Sequence, residues 1–183
     1  MGDCHYLDGN VYTAKRMEVM AHLLELAGLG QDRLQLRWIS SSEGQLFADH
    51  ITDLTGLVHD LGPLDREQLK LPLAAIERAL ESVSLRWLMG MERQLTEREN
   101  VFHEKLDPER YHEVLKRSAT MEYHKALLFE ALQEGPKTVH QLADSTHLPV
   151  YTVSLRLNDL ERAGLADIAG HEGHDPSFRV MTA

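Results

Sequence analysis

The chain has 183 residues, of which 43% are apolar and 26% are charged, so it is long enough to bury a hydrophobic core. Its 29 acidic residues outnumber its 19 basic ones, and the formal charge of −10 counts against binding to nucleic acid or to an anionic membrane surface. Without a membrane-length apolar run or a signal-peptide pattern, the sequence predicts a cytoplasmic protein that has no membrane partner.

The single cysteine, Cys4, lies in the opening stretch MGDCHYLDGN. One cysteine cannot form an internal disulfide, which agrees with a reducing compartment. The thiol is compatible with a nucleophile, a metal ligand or an inert side chain. A catalytic pair with His5 is disfavoured, because adjacent side chains point to different faces of the backbone.

Residues 1–63 are predicted to contain a helix, a strand and a second helix. Apolar residues at helical spacing indicate a helix over residues 11–27, which is followed by a Gly-Leu-Gly stop. Apolar and polar side chains alternate from residue 34 and end in two adjacent apolar residues, Trp38 and Ile39, which predicts a strand partly buried in a sheet over residues 34–39.

The second helix of this region is predicted to begin at a capping box formed by Ser40 and Glu43 and to face a core as far as Gly62. The region is therefore expected to be α/β. One strand between two helices cannot bury its own faces. We expect its sheet partners to come from another chain or from residues upstream of Met1.

Residues 64–117 are predicted to be a helical connector. Asp65 caps a helix that Pro72 interrupts near its start and that continues to Leu88, and Asp107 starts another helix. The dense mixed charge of RQLTERENVFHEKLDPER favours a solvated face, with a docking arm as the alternative.

Residues 118–183 follow the order of a winged helix-turn-helix domain. Three helices are predicted, the second of them opened by a Thr138–Gln141 capping box, and two short strands flank the loop AGHEGHDPS. The strands are expected at residues 166–168 and 178–181. The whole chain is thus predicted to be α+β.

The third helix of this domain is where a winged helix normally reads DNA. Its outer face is predicted to carry Thr152, Ser154, Arg156 and Asp159. One Arg beside one Asp, in a region with 5 basic and 9 acidic residues, disfavours DNA as a partner and favours docking to protein.

The wing contains a short run of His and acidic residues, His171-Glu172-Gly173-His174-Asp175. This composition could attract zinc, but an exposed polar loop explains it better.

Three stretches of the N-terminal region resemble one known family. They are the loop GDCHYLDGN, the basic start of the first helix and the segment WISSSEG. The family is the delta, or iron–sulfur, subunit of the methyl-viologen-reducing [NiFe] hydrogenases, which partners heterodisulfide reductase. The matching positions are Gly2, Asp3, Cys4, His5, Tyr6, Gly9, Asn10, Lys15, Arg16, Trp38, Ser40, Ser42, Glu43 and Gly44.

The resemblance covers about residues 2–63 and implies electron transfer. A subunit of this kind passes electrons from a hydrogenase or formate dehydrogenase to the flavoprotein subunit of heterodisulfide reductase through a [2Fe–2S] cluster. It is a non-catalytic component of an oxidoreductase complex. Cys4 is then an iron ligand of the cluster, and His5 caps the turn.

This sequence departs from the family pattern, because the first cysteine of the loop and the cysteine pairs before it are absent. One thiolate cannot hold a cluster, so no [2Fe–2S] cluster is expected in this chain alone. The chain is interpreted as an N-terminally truncated copy with a winged-helix extension. A late start assignment, caused by an in-frame UGA codon for selenocysteine, is one explanation.

A rival interpretation belongs to another class of protein. The winged helix would bind DNA as part of a transcriptional regulator, and the N-terminal region would sense redox state through Cys4. The acidic charge disfavours this alternative.

Overall fold

The computed structural model describes residues 8–181 of the chain. The chain divides into two compact units, Met1–Glu67 and Gln68–Ala183. Most described residues are helical, and one small sheet of three antiparallel strands lies in the second unit. The α+β prediction is confirmed in this form. The predicted boundaries at residues 63 and 117 stay predictions.

Two helices form the described part of the first unit. Helix α1 spans Gly9–Leu26 and α2 spans Gly44–Leu61, with a 3-10 turn at Gln31–Arg33 between them. Both helices were predicted. Gly28 and Gly30 follow α1 with φ values of 75° and 74°, a left-handed backbone that stops the helix and that glycine adopts without strain.

The strand predicted over residues 34–39 is wrong. These residues form no strand, and none of the three strands among residues 8–181 lies in the first unit. A short alternating segment specifies a strand only where a neighbouring strand takes up its hydrogen bonds. Consequently, the α/β character predicted for this region is not found in its described part.

Four helices follow: α3 (Arg66–Glu81), whose first two residues still belong to the first unit, α4 (Val83–Gly90), α5 (Glu92–Thr96) and α6 (Pro108–Leu132). The single helix predicted up to Leu88 is instead broken at Ser82. Ser82 has an extended backbone, and its hydroxyl accepts a 3.3 Å hydrogen bond from the Leu85 N–H, which caps α4.

Helix α6 begins as predicted, because the Asp107 carboxylate accepts a 3.0 Å hydrogen bond from the Arg110 N–H. The helix then runs without a break into the winged-helix region. The Tyr111 hydroxyl, near its start, donates a 2.9 Å hydrogen bond to the Leu88 carbonyl and so joins α4 to α6. Burial, with a smaller contribution from Glu92, raises the pKa of Tyr111 to about 12.

The remainder of the unit is a winged helix-turn-helix. Its elements are β1 (Lys137–Thr138), α7 (Val139–Thr146), α8 (Val150–Arg162), β2 (Ala166–Glu172) and β3 (Asp175–Val180). The strand order is β1-β3-β2, and all pairs are antiparallel.

The capping box predicted at Thr138 is present and starts α7. The Thr138 hydroxyl accepts from the Gln141 N–H at 3.3 Å, and the Gln141 side chain accepts from the Thr138 N–H at 2.8 Å. The hairpin is longer than predicted, because most of the segment expected to be a loop pairs as β2 and β3 around Gly173.

The core of the winged helix lies between α6, α7, α8 and the sheet. It contains side chains that are almost fully buried, among them Leu128, Leu132, Leu142, Val153, Leu157, Leu160 and Phe178. Within residues 8–181, no helix is long and apolar enough to cross a membrane.

Candidate functional site

The loop that carries Cys4 is only partly described. Gly2, Asp3, Cys4, His5 and Tyr6 lie outside the described residues, so the role predicted for Cys4 stays a prediction. The loop ends at Gly9 and Asn10, which form the first turn of α1. There the Asn10 side chain accepts a 2.9 Å hydrogen bond from the Val11 N–H. The sequence of this loop therefore leads directly into a helix.

The residues of this chain do not fit a [2Fe–2S] cluster by themselves. Such a cluster takes four protein ligands, usually thiolates, and the chain has one cysteine. Within residues 8–181, no group of three or more His, Cys, Asp or Glu side chains is placed to hold a metal ion. The side chains of the His171–Asp175 run in the wing are therefore not placed to hold a metal ion either.

The WISSSEG segment forms a turn that leads into α2. The Glu43 carboxylate accepts a 2.7 Å hydrogen bond from the Ser40 N–H, and the Glu43 N–H donates to the Ser40 carbonyl at 3.0 Å. The Glu43 half of the predicted capping box is therefore present, although the helix itself begins at Gly44. Trp38 and Ile39, just before the turn, are exposed.

Helix α2 does not face a core, which corrects the prediction. It has no buried residue, although its apolar side chains follow helical spacing. Phe47, Ile51 and Val58 lie on one side of the helix and are 55%, 47% and 63% exposed. We refer to these three residues as the α2 face.

The carboxyl end of α2 is held by Arg33 of the 3-10 turn. Its guanidinium group donates hydrogen bonds of 2.9 Å to the Leu61 carbonyl and 3.1 Å to the Gly62 carbonyl. These carbonyl groups have no partner within the helix, and they carry the negative end of its dipole. Arg33 thereby fixes α2 relative to the turn that follows α1.

The outward side of α8 differs from the side predicted. Val153, Leu157 and Leu160 are buried, so the opposite side faces solvent. The exposed residues there are Tyr151, Ser154, Leu155, Asn158 and Arg162. Ser154 was predicted correctly, whereas the other four were missed. The helical spacing of the three buried residues was the signal that defines this side.

Arg156 is turned inward, contrary to the prediction that it faces outward. Its side chain is 13% exposed, and its Nε lies 3.3 Å from an Asp159 carboxylate oxygen. Thr152 and Asp159, predicted on the same outer face, are partly buried. The pKa of His124 on α6 is lowered by burial and, to a smaller extent, by the positive charge of the nearby Arg156. The prospective DNA-reading side of α8 thus has one exposed cation, Arg162.

Two family models match separate parts of the chain. Residues 1–62 match the methyl-viologen-reducing hydrogenase, delta subunit. Residues 125–167, which include α7 and α8, match the bacterial regulatory protein, arsR family. The chain thus joins a region similar to the delta subunit to a segment similar to an arsR-type helix-turn-helix.

Similar curated proteins support the first of these matches. The iron-sulfur subunit of the F420-non-reducing hydrogenase of Archaeoglobus profundus is 38% identical over 68 residues, which cover 37% of this chain and 50% of that protein. The corresponding iron-sulfur subunit from Methanococcus voltae is 34% identical over 62 residues, covering 34% of this chain and 43% of that protein.

A third relative is one of the subunits of the ferredoxin:CoB-CoM heterodisulfide reductase of Methanosarcina mazei. It is 37% identical over 67 residues, which are 37% of this chain and 8% of that protein. The chain thus spans half or less of the length of these relatives. No solved structure matches it.

Proposed function

We propose that this chain is a subunit of an electron-transfer complex of the hydrogenase and heterodisulfide reductase kind, and that a partner polypeptide completes its N-terminal unit. The observation that carries this proposal is the α2 face. The described part of the first unit buries only Val19, Leu23 and Ala27, all on or directly after α1. Exposed apolar side chains grouped on one helix side are typical of a protein interface.

The proposed partner is the flavoprotein subunit of heterodisulfide reductase. The region related to this chain makes up 8% of the Methanosarcina mazei reductase protein, so in that protein it belongs to the same polypeptide as the remaining 92%. In the proposed complex, electrons enter from a hydrogenase or formate dehydrogenase. The chain contributes no catalytic residue, and the proposed compartment is the cytoplasm.

Cys4 is proposed to supply one ligand of a [2Fe–2S] cluster whose other ligands come from outside residues 1–183. Similarity to proteins named iron-sulfur subunits supports this role. The single cysteine means that residues 1–183 cannot hold the cluster unaided.

The role of Cys4 is tested in the complex. The tagged chain is co-expressed anaerobically with the subunits of its genomic neighbourhood, and iron and sulfide are measured in the purified complex with Cys4 or with Cys4→Ala. We expect the substitution to remove most of one cluster, because water replaces a thiolate poorly. His5→Ala, the matched control, keeps the cluster. Equal iron with and without Cys4 would exclude the ligand role.

A second candidate function, DNA binding by the winged helix, is favoured by the arsR-family match. Asn158 and Arg162 on the outward side of α8 are suited to contacts with bases or phosphates. We expect no salt-sensitive binding, since too few cations face outward to release counterions. Fluorescence anisotropy with duplexes from the gene's own upstream region tests this. Sub-micromolar binding that Arg162→Ala weakens would establish the DNA-binding function instead.

A further inference from the structure

A cavity of about 510 Å³ lies within the second unit, between the start of that unit and its winged helix. The end of α3 and the beginning of α4 form one wall, from Arg78 to Ser84. Helix α6 and the last turns of α8 form the other wall. A volume of this size is within the range of small-molecule sites. Both family matches leave α3 and α4 uncovered, since they end at residue 62 and begin at residue 125.

The inner surface of the cavity is apolar. Ala126 and Phe129 contribute from α6, Leu160 from α8, and Leu165 from the segment after α8. Phe129 is held in place because the Arg78 guanidinium carbon lies 3.9 Å from the centre of its ring. The cavity therefore accepts a hydrocarbon body.

Five charged side chains line the cavity, and four of them are already paired. Arg78 pairs with Glu130 on α6, and Lys125 pairs with Glu122 at 2.7 Å. Asp159 lies 3.3 Å from the Nε of Arg156, which is turned inward.

Glu81, the last residue of α3, is the remaining charged side chain, and it is exposed to solvent. It has no hydrogen bond or ion pair with any described residue. Because both cations of the lining are neutralised by carboxylates, the charge left over is negative. Helices α3 and α8 also end at the cavity, and the negative ends of two helix dipoles outweigh the positive end of the short α4 that begins there.

We propose that this cavity binds a small organic cation, an amine with an apolar chain, with its ammonium group at Glu81 and its chain on the apolar surface. Bound there, the ligand contacts α3, α6 and α8 together. It therefore stabilises the arrangement of the opening helices against the winged helix by an amount set by its affinity and concentration.

The experiment measures binding to the full chain by isothermal titration calorimetry with three probes that share a six-carbon chain: hexylamine, hexanol and hexanoate. We expect hexylamine to bind with a Kd of about 1 mM, the range for a ligand of this size. Hexanol and hexanoate, which lack a positive charge, are expected to bind roughly threefold more weakly.

Two substitutions of equal charge change separate the site from the acidic surface. Glu81→Gln is expected to weaken hexylamine binding by roughly threefold, because an ion pair with an exposed carboxylate contributes little affinity. Glu77→Gln, four residues earlier on α3 and outside the lining, should leave the affinity unchanged. Equal affinities in the two variants, or no heat from hexylamine up to about 50 mM, a concentration fifty times the expected Kd, would overturn the proposal.

Discussion

The two units contain helices with the same spacing of apolar side chains, but these side chains are buried in one unit and exposed in the other. In α8 the apolar side chains of Val153, Leu157 and Leu160 are buried in a core that the chain itself supplies. In α2 the pattern is as regular, but Phe47 and Ile51 are exposed. Helical periodicity therefore predicts which side of a helix is apolar. It does not tell whether the covering surface belongs to the same chain.

The largest expected effect is the loss of a core side chain from the second unit. Leu128 on α6 is fully buried, so Leu128→Ala should lower the free energy of unfolding by about 3 kcal/mol. Ile51→Ala removes as many side-chain atoms but from an exposed position, and should change it by less than about 0.5 kcal/mol. Urea unfolding followed by circular dichroism measures both. Losses of similar size would show that α2 is buried after all.

The next effect concerns how the first unit is held together without a large core. Arg33→Gln removes the hydrogen bonds to the Leu61 and Gly62 carbonyls, which should destabilise the end of α2 by about 1.5 kcal/mol. Hydrogen exchange of the amides in the last turn of α2 should become faster.

The exposed Arg37 provides the matched control for that charge change. Arg37→Gln should leave exchange in α2 unchanged. If the two variants exchange alike, Arg33 does not hold the helix.

The winged helix depends on a local cap as well as on its core. Thr138→Ala should destabilise the second unit by about 1 kcal/mol, because the Gln141 N–H loses its acceptor. Thr138→Ser keeps an oxygen at this position and should recover most of the loss. Thermal unfolding measures the difference, and a serine variant no better than alanine would argue that the threonine methyl group, rather than the cap, is what matters.

The smallest effect is a dependence on pH. Burial of His124, assisted by Arg156, lowers its pKa below the usual 6.5, so on acidification the unfolded chain takes up this proton before the folded one. The stability contributed by neutral His124 is therefore complete above about pH 6.5 and is lost as the pH falls toward the folded-state pKa.

Replacing His124 tests this sign. His124→Gln should reduce the fall in urea midpoint between pH 7.5 and pH 5.5, while His140→Gln, at an exposed position on α7, should leave it unchanged. A steeper fall in the His124 variant would contradict the assignment.

Features set by local chemistry were predictable from the sequence. The start of α6 at Asp107, the capping box at Thr138 and the glycine stop after α1 each depend on a few neighbouring residues. The order of helices and strands in the winged helix followed from these signals.

Features that depend on contacts between distant residues could not be predicted from the sequence. Residues 34–39 have the alternation of a strand but no neighbouring strand among the described residues. One local signal was also missed, the break at Ser82, although serine is a common helix cap. Arg156 was predicted on the outer face of α8, whereas it is turned inward with its Nε 3.3 Å from an Asp159 carboxylate oxygen.

The central claim is that the α2 face is covered by a partner polypeptide. It is tested most directly by co-purification of the tagged chain with the heterodisulfide reductase flavoprotein subunit, using a double variant, Phe47→Asp with Ile51→Asp. The control carries the same added charge on the opposite, polar side of α2, Gln45→Asp with Thr52→Asp.

Charged groups on the α2 face should abolish co-elution of the flavoprotein subunit, because burying an unpaired carboxylate at an apolar interface is costly, while the control retains it. Helical content should be the same in both proteins. Co-elution that survives Phe47→Asp with Ile51→Asp, or that is lost equally in the control, would contradict the account.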